Sequence, residues 1–348
     1  MVDKPNLLDQ IFAMRDEQNK ARKTGRVIVR EEEATLETNQ HSTMRWYVHP
    51  SFTDLVDHNT LFYRYEIPPM SATGVQHRQG NMVSYVLSGH GYTEVDGVRH
   101  SWEAGDVIGL PPRVFGLTYR HVNESNEIAK LITAEPNLYE VLGVEMGAGY
   151  KQLSDAPPTG QLPTAPEKTA TPAPASGTTR SREGSENIAG RDDYELFLDR
   201  HHERAFRAID GDIVIRGKSR PIQITRQADS TWFLNSQTVG SAKNTAALQD
   251  WDVFMHHIRE HTGEHSHQGG LLIYVVHGTG WTDVGGRKVE WKAGDLLLRP
   301  ITEGGIAHQH FTDGDSDTAR WIAFIHRPMQ DALGSVISLL MDQPDNHH

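Results

Sequence analysis

At 348 residues the chain has room for two or three domains of roughly 100 to 200 residues, each large enough to bury a core. Its 34 basic and 46 acidic side chains give a formal charge of −12, which offers no cationic footprint to a phosphate backbone, so DNA and RNA are excluded as main partners. The absence of cysteine removes disulfides, thiolate nucleophiles and sulfur-ligated zinc together; any metal must be held by nitrogen and oxygen, and the expected setting is the reducing cytoplasm.

The opening residues carry apolar side chains at helical spacing with charges between them, which predicts a helix over Leu7 to Ala21 and no secretory signal. No uncharged apolar run reaches about 18 residues, so no membrane span is expected. Short β-rich runs follow, such as Met82 to Leu87, broken by glycine turns at Ser88 to Gly91 and Asp96-Gly97. From Ala156 to Gly184 the composition turns to Pro, Thr, Ala, Gly and Ser. A segment with so few large apolar residues cannot offset its ordering entropy and is expected to be a flexible linker. Beyond it come a helix over Tyr194 to Ile209, a run Leu271 to Val276 with turns at His277 to Gly280 and Gly285-Gly286, and helical spacing from Met329 to Met341 after Pro328. The expected organisation is an N-terminal lobe over 1–150, a linker over 151–190 and a C-terminal lobe over 191–348.

The two lobes repeat one another. Gly74, Tyr85, Gly89, Gly97, Trp102, Asp106, Pro111 and Gly116 find Gly263, Tyr274, Gly278, Gly286, Trp291, Asp295, Pro300 and Gly305 at a constant offset of 189. Gly25 to Arg30 (GRVIVR) and Trp46 match Gly211 to Arg216 (GDIVIR) and Trp232 at an offset of 186. Many short strands at close spacing, written twice, make each lobe an all-β sandwich or barrel with short helices at its rim.

His265 and His267 stand two apart, so on a strand both imidazoles leave the same face. His308 follows two strand pairs later, after Pro300 and Gly305, where a barrel can return it to the first two. Three neutral imidazoles on one face leave open positions on a first-row metal, as Lewis-acid or oxygen-activating chemistry requires. His256, His257, His261, His277 and His310 lie in the same stretch, and several of these are expected at the surface. In the first lobe the corresponding positions are Gln76, Arg78 and Tyr119, with His77 on the opposite side, so no metal is expected there. That barrel is read as structural, or alternatively as a pocket lined by His77, Gln79, Tyr119 and His121.

The G-x-H-x-H string at Gly263 to His267, the G-x-G turn, the A-G-D triplet and the Pro300, Gly305, His308 segment resemble the two motifs of the cupin superfamily, and the duplication resembles a bicupin. The resemblance spans both lobes and implies two double-stranded β-helix (jelly-roll) barrels. The all-histidine set, the His308-Gln309-His310 order and the closing Ile325 to Gly334 resemble the gentisate 1,2-dioxygenase-like ring-cleaving enzymes. This implies Fe(II) on His265, His267 and His308, O₂ and a small hydroxylated aromatic as substrates, and a homo-oligomer. Two departures stand out. Leu271 and Leu272 occupy the place where many cupins carry a glutamate ligand, which speaks against an oxalate-type site, and the triad lies in the second lobe where gentisate dioxygenases use the first. His310, on the same face as His308 by strand alternation, is the candidate catalytic base. Arg259 and Arg299 are candidates for binding an anionic substrate. Trp281, Trp291, Tyr274 and Phe311 are read mainly as packing residues. Two other classes remain open, a metal-binding sensor without turnover and a metal-dependent isomerase or lyase.

Overall fold

A computed structural model describes residues 6–164, 192–238, 244–313 and 318–344. The expected linker therefore lies largely outside the described residues. Its first part is not linker in form: Lys151–Ser154 is a strand paired with Val75–Arg78.

Strand alternation decides where the cores form. In Thr60–Ile67, Tyr63, Tyr65 and Ile67 enter one core and Phe62 another; in Leu272–His277, Ile273 and Val275 part in the same way from Leu272 and Tyr274. Such strands are buried on both faces, which accounts for their nearly continuous apolar character.

Each lobe is a pair of antiparallel sheets. In the N-terminal lobe the large sheet carries Val107–Leu110, Met82–Ser88, Ala129–Pro136, Thr60–Ile67, Thr43–Val48 and Thr35–Thr38 in spatial order, and it faces a sheet built on Val75–Arg78, Leu117–Asn123, His90–Val95 and Val98–Glu103. In the C-terminal lobe Leu296–Leu298, Leu272–His277, Ala319–His326, Trp251–Ile258, Asp229–Leu234 and Ile222–Ile224 face Arg287–Lys292, Thr279–Val284, Ile306–Thr312 and His265–His267. The two large sheets meet back to back. Tyr47, Phe62, Val83 and Ile132 from one lobe and Trp251, Val253, Tyr274 and Phe324 from the other form a single apolar core between the barrels.

The lobes also exchange strands. Ile28–Val29, near the start of the first lobe, pairs with Leu296 and Leu297 of the second, and Val214–Ile215 of the second pairs with Val107 and Ile108 of the first. The aspartates of the repeated A-G-D triplet lock both exchanges. Asp295 accepts from Arg30 Nη1 at 2.7 Å and from the Lys292 amide at 3.0 Å, while Asp106 accepts from Arg216 Nη1 at 2.8 Å and from the Gly217 amide at 2.9 Å. Both carboxylates are buried, and these donors satisfy their oxygens in the interior.

The helices Leu7–Thr24 and Asp193–Asp210 stand close to their expected bounds, capped by Asn6 and Asp192, whose side chains accept from the amides of Asp9 and Glu195. A further helix, Tyr139–Ala148, is interrupted at Gly143. The expected helix over Met329 to Met341 is corrected. The helix is Arg327–Ala332, Gly334 takes a positive φ of 58°, and Ser338–Leu339 becomes a strand lying on His265 and Ser266. An open sheet edge offers the Ser338 and Leu339 backbone pairing that the helical spacing of the side chains does not reveal. It mirrors Lys151–Ser154, so each lobe closes with a strap on the strand bearing its central residues.

Asp295→Asn and Asp106→Asn should each lower stability by about 1–3 kcal/mol, seen as an earlier midpoint in urea; unchanged midpoints in both would remove the clasp from the account. A pH dependence follows from two imidazoles inside the N-terminal barrel. Burial lowers both His41 and His121 to about 3. The unfolded chain therefore takes up these protons first, and stability present above pH 6.5 is lost as pH falls toward 3, by about 1.4 kcal/mol per pH unit for each residue. Urea midpoints should fall from pH 7 to 4.5, with the buried imidazoles of the other barrel adding to the slope, and His41→Gln should lessen it.

Candidate metal centre

His265 and His308 face each other across neighbouring strands, in register, with His267 two residues further along. Gly305, at a φ of 79°, lets the returning chain lie against the His267 backbone, where a Cβ would come within 2.8 Å. One ring nitrogen from each of the three histidines falls within 4.8 Å of the others, the only such cluster among the described residues. All three rings are buried, and burial holds His265 near 4, His267 near 3 and His308 well below the usual imidazole value. They are thus neutral at physiological pH, with lone pairs available to a metal.

The hydrogen bonds test that fit ring by ring. His308 Nδ1 donates to Ile306 O at 2.9 Å, which leaves its Nε2 lone pair free, and that buried atom has no partner. His265 Nδ1 likewise donates to Gly263 O at 3.2 Å, and Gln227 Nε2 donates to its Nε2 at 3.0 Å. These are the tautomers a metal at Nε2 needs, though Gln227 must turn aside. His267 differs: the Gly269 amide donates to its Nδ1 at 3.0 Å, so coordination through Nε2 requires that contact to break. The donor set fits a first-row metal that accepts nitrogen ligands.

Arg299 is buried beside the triad. With His267 and His308 it lines a void of about 10 Å³, room for one water, and its Nε and Nη2 have no partner. Burial without a counter-charge pulls it down to about 9. An uncompensated guanidinium next to a metal triad has the chemistry of an anion site. Arg259 is not brought there; it is exposed, with Asp229 at 3.8 Å, beside a separate recess with His257 and His261.

His310 points into the barrel, its Nδ1 at 2.8 Å from Thr282 Oγ1, which accepts at 3.0 Å from Trp291 Nε1; its Nε2 has no partner. The same chain recurs in the other lobe, where Trp102 Nε1 donates to Thr93 Oγ1 and Thr93 meets His121 Nδ1 at 2.8 Å. The motif supports the barrel in both lobes, and only in this lobe does its imidazole adjoin a histidine triad. His256, one of the stretch grouped with surface histidines, is buried against Trp321 at 4.3 Å between ring centroids. The alternation of Phe254, His256 and Ile258 against Val253 and Met255 is the signal that finds it. Of the aromatics, Trp281 stacks on Phe311 at 3.9 Å, Tyr274 faces the other lobe, and none lines the void at the triad.

In the N-terminal barrel Gln76, Arg78 and Tyr119 stand on the matching strands, with Tyr119 paired in register to Gln76 as His308 is to His265. His77 turns outward to Phe115 O and Gln79 donates to Arg113 O, so these two leave the expected pocket while Tyr119 and His121 remain inside.

Comparison with known proteins bears on the same architecture. The Cupin_2 family (cupin domain) matches residues 63–135 and 255–325. No curated protein sequence matches the chain. Among solved structures, salicylate 1,2-dioxygenase from Pseudoaminobacter salicylatoxidans with gentisate superposes with a TM-score of 0.54 at 15% identity, over 94% of this chain and 83% of that one. A mutant of oxalate decarboxylase from Bacillus subtilis gives a TM-score of 0.59 at 10% identity, over 91% and 80%. At such identities the likeness is one of fold. Two matched domains, each a barrel of facing antiparallel sheets and joined along the whole chain as in these structures, make this protein a bicupin.

Proposed function

We propose that the C-terminal barrel is a mononuclear Fe(II) centre of a dioxygenase acting on a hydroxylated aromatic acid of the gentisate or salicylate type. The observation that carries this reading is the buried, unpartnered Arg299 beside three neutral, convergent imidazoles. His265, His267 and His308 would hold the metal, which when bound supplies a site where a chelating hydroxyl group and O₂ can be brought together. The chain's own residues then do three things. Arg299 takes the substrate carboxylate as a forked pair and thereby sets the ring's orientation. His310, a residue of the barrel frame that in this lobe also adjoins the triad, would take the hydroxyl proton at Nε2 in the tautomer whose Nδ1 donates to Thr282 Oγ1, with Trp291 fixing the Thr282 hydroxyl. The apolar side chains Val284, Ile306 and Pro300 around the void keep water out.

A void of about 10 Å³ does not admit a ring, so the reading requires the segments carrying Gly269 and Pro300 to part when substrate enters. The same tightness favours a second reading, a metal site that takes a small carboxylate, whether as a sensor or as an isomerase or lyase.

Elemental analysis of the purified protein should find iron, and His265→Ala, His267→Ala and His308→Ala should each lose it, whereas Tyr119→Phe in the other lobe should retain it. Full metal occupancy in His308→Ala would sink the assignment. O₂ uptake on gentisate, salicylate and hydroquinone tests the reaction. Arg299→Gln should keep its metal yet raise KM for the two carboxylates by about tenfold or more while sparing hydroquinone. No uptake on any of the three, with small carboxylates raising Tm, would favour the second reading.

A further inference from the structure

The barrel without the histidine triad has, beside its matching residues, far more room than the void at the triad. A space of about 310 Å³ is lined by Trp46, Met44, Tyr65, His41, Gln76 and Arg78 among others. That volume suits a single-ring molecule, whereas the triad's void holds one water.

Its polar lining is built but incomplete. His41 is 3% exposed and neither ring nitrogen has a partner, and Arg78 is 1% exposed with its Nε unpartnered. Leaving such buried groups unmatched is costly, and a ligand offering hydroxyl or carbonyl groups would satisfy them. Neighbouring polar groups are held in place. Gln76 accepts from Tyr119 Oη at 3.1 Å and donates to Gln152 at 3.0 Å, and Tyr65 Oη lies 3.1 Å from Tyr119 Oη.

The charges decide what kind of molecule fits. Among the described residues Arg78 is the only cationic side chain lining the cavity, His41 being neutral, and it is already paired with Glu135 and stacked on the Tyr150 ring at 3.7 Å. Glu37, at the rim, accepts from Trp46 Nε1 and Asn39. A carboxylate would find no free cation here, in contrast to the unpaired Arg299 of the other barrel. Position for position, Gln76 and Arg78 stand where His265 and His267 stand, so an amide and a guanidinium balanced by Glu135 occupy the places of two histidines of the triad.

We propose that the N-terminal barrel is a metal-independent binding site for a small uncharged ring bearing hydroxyl or carbonyl groups. Trp46, Met44 and Tyr65 give it apolar walls, and His41, Gln76 and the Nε of Arg78 complete its hydrogen bonds. This site does not depend on the reaction assigned to the other lobe. The test is calorimetric titration of the full chain, stripped of metal by a chelator and also as His308→Ala, with resorcinol, D-glucose and benzoate. Resorcinol or glucose should bind at one equivalent, and which of them binds tells an aromatic from a saturated ring; benzoate should not compete. Trp46→Ala, at a half-buried position, and Gln76→Leu should each weaken binding by about tenfold while circular dichroism shows both folded. The proposal is overturned if neither uncharged probe binds at about 10 mM, or if binding is indifferent to both substitutions. Tighter binding of benzoate than of resorcinol, weakened by Trp46→Ala and Gln76→Leu and so at this site and not at Arg299, would overturn it equally, because it would require a free cation in this barrel.

Discussion

Two buried carboxylates, Asp106 and Asp295, hold the molecule in its arrangement. Each is the last residue of an A-G-D turn in one lobe and accepts an arginine from the segment that the other lobe sends across, Arg216 in one case and Arg30 in the other. The exchanged strands extend the large sheets, and the large sheets then meet over one shared apolar core. Neither barrel is complete without a strand of its neighbour. The repeat is thus a closed pair, in which the outer face of each large sheet is buried by the other lobe and only its inner face is left to carry a site.

The inner faces have been put to different uses on the same frame. The Trp–Thr–His chain, the glycine beside the central strand and the closing strap occur in both barrels, and they keep the strands at a fixed distance. On that frame the C-terminal barrel gathers neutral imidazoles and one unpaired guanidinium. The N-terminal barrel instead pairs its guanidinium with Glu135 and surrounds it with tyrosines. One interior has a charge awaiting an anion; the other is balanced and has room.

Much of the candidate site was legible because strand periodicity is local. Two histidines two apart on a β-run share a face wherever the run lies, and the constant offset between the lobes put Gln76, Arg78 and Tyr119 opposite the triad. The same offset aligns His121 with His310 and Thr93 with Thr282, a signal that the Thr–His pair is common to both barrels. Arg259 and Arg299 were indistinguishable in sequence, since each is one arginine ahead of a ligand segment; one is paired at the surface and the other is buried at the triad. The strap at Ser338–Leu339 read as helix because apolar spacing reports which side chains are buried and says nothing of an open sheet edge nearby.

The sequence by itself determined the duplicated β-barrel architecture, the lobe that carries three imidazoles and the lobe that does not, because these follow from residue type and from periods of two within single strands. Tertiary structure alone decided which barrel each short strand completes, which arginine is left without a counter-charge and where a cavity opens. GRVIVR and GDIVIR are nearly the same string, so their sequences cannot state which sheet they join. Charge balance and empty space are likewise sums over residues from distant parts of the chain, and they exist only once those residues are brought together.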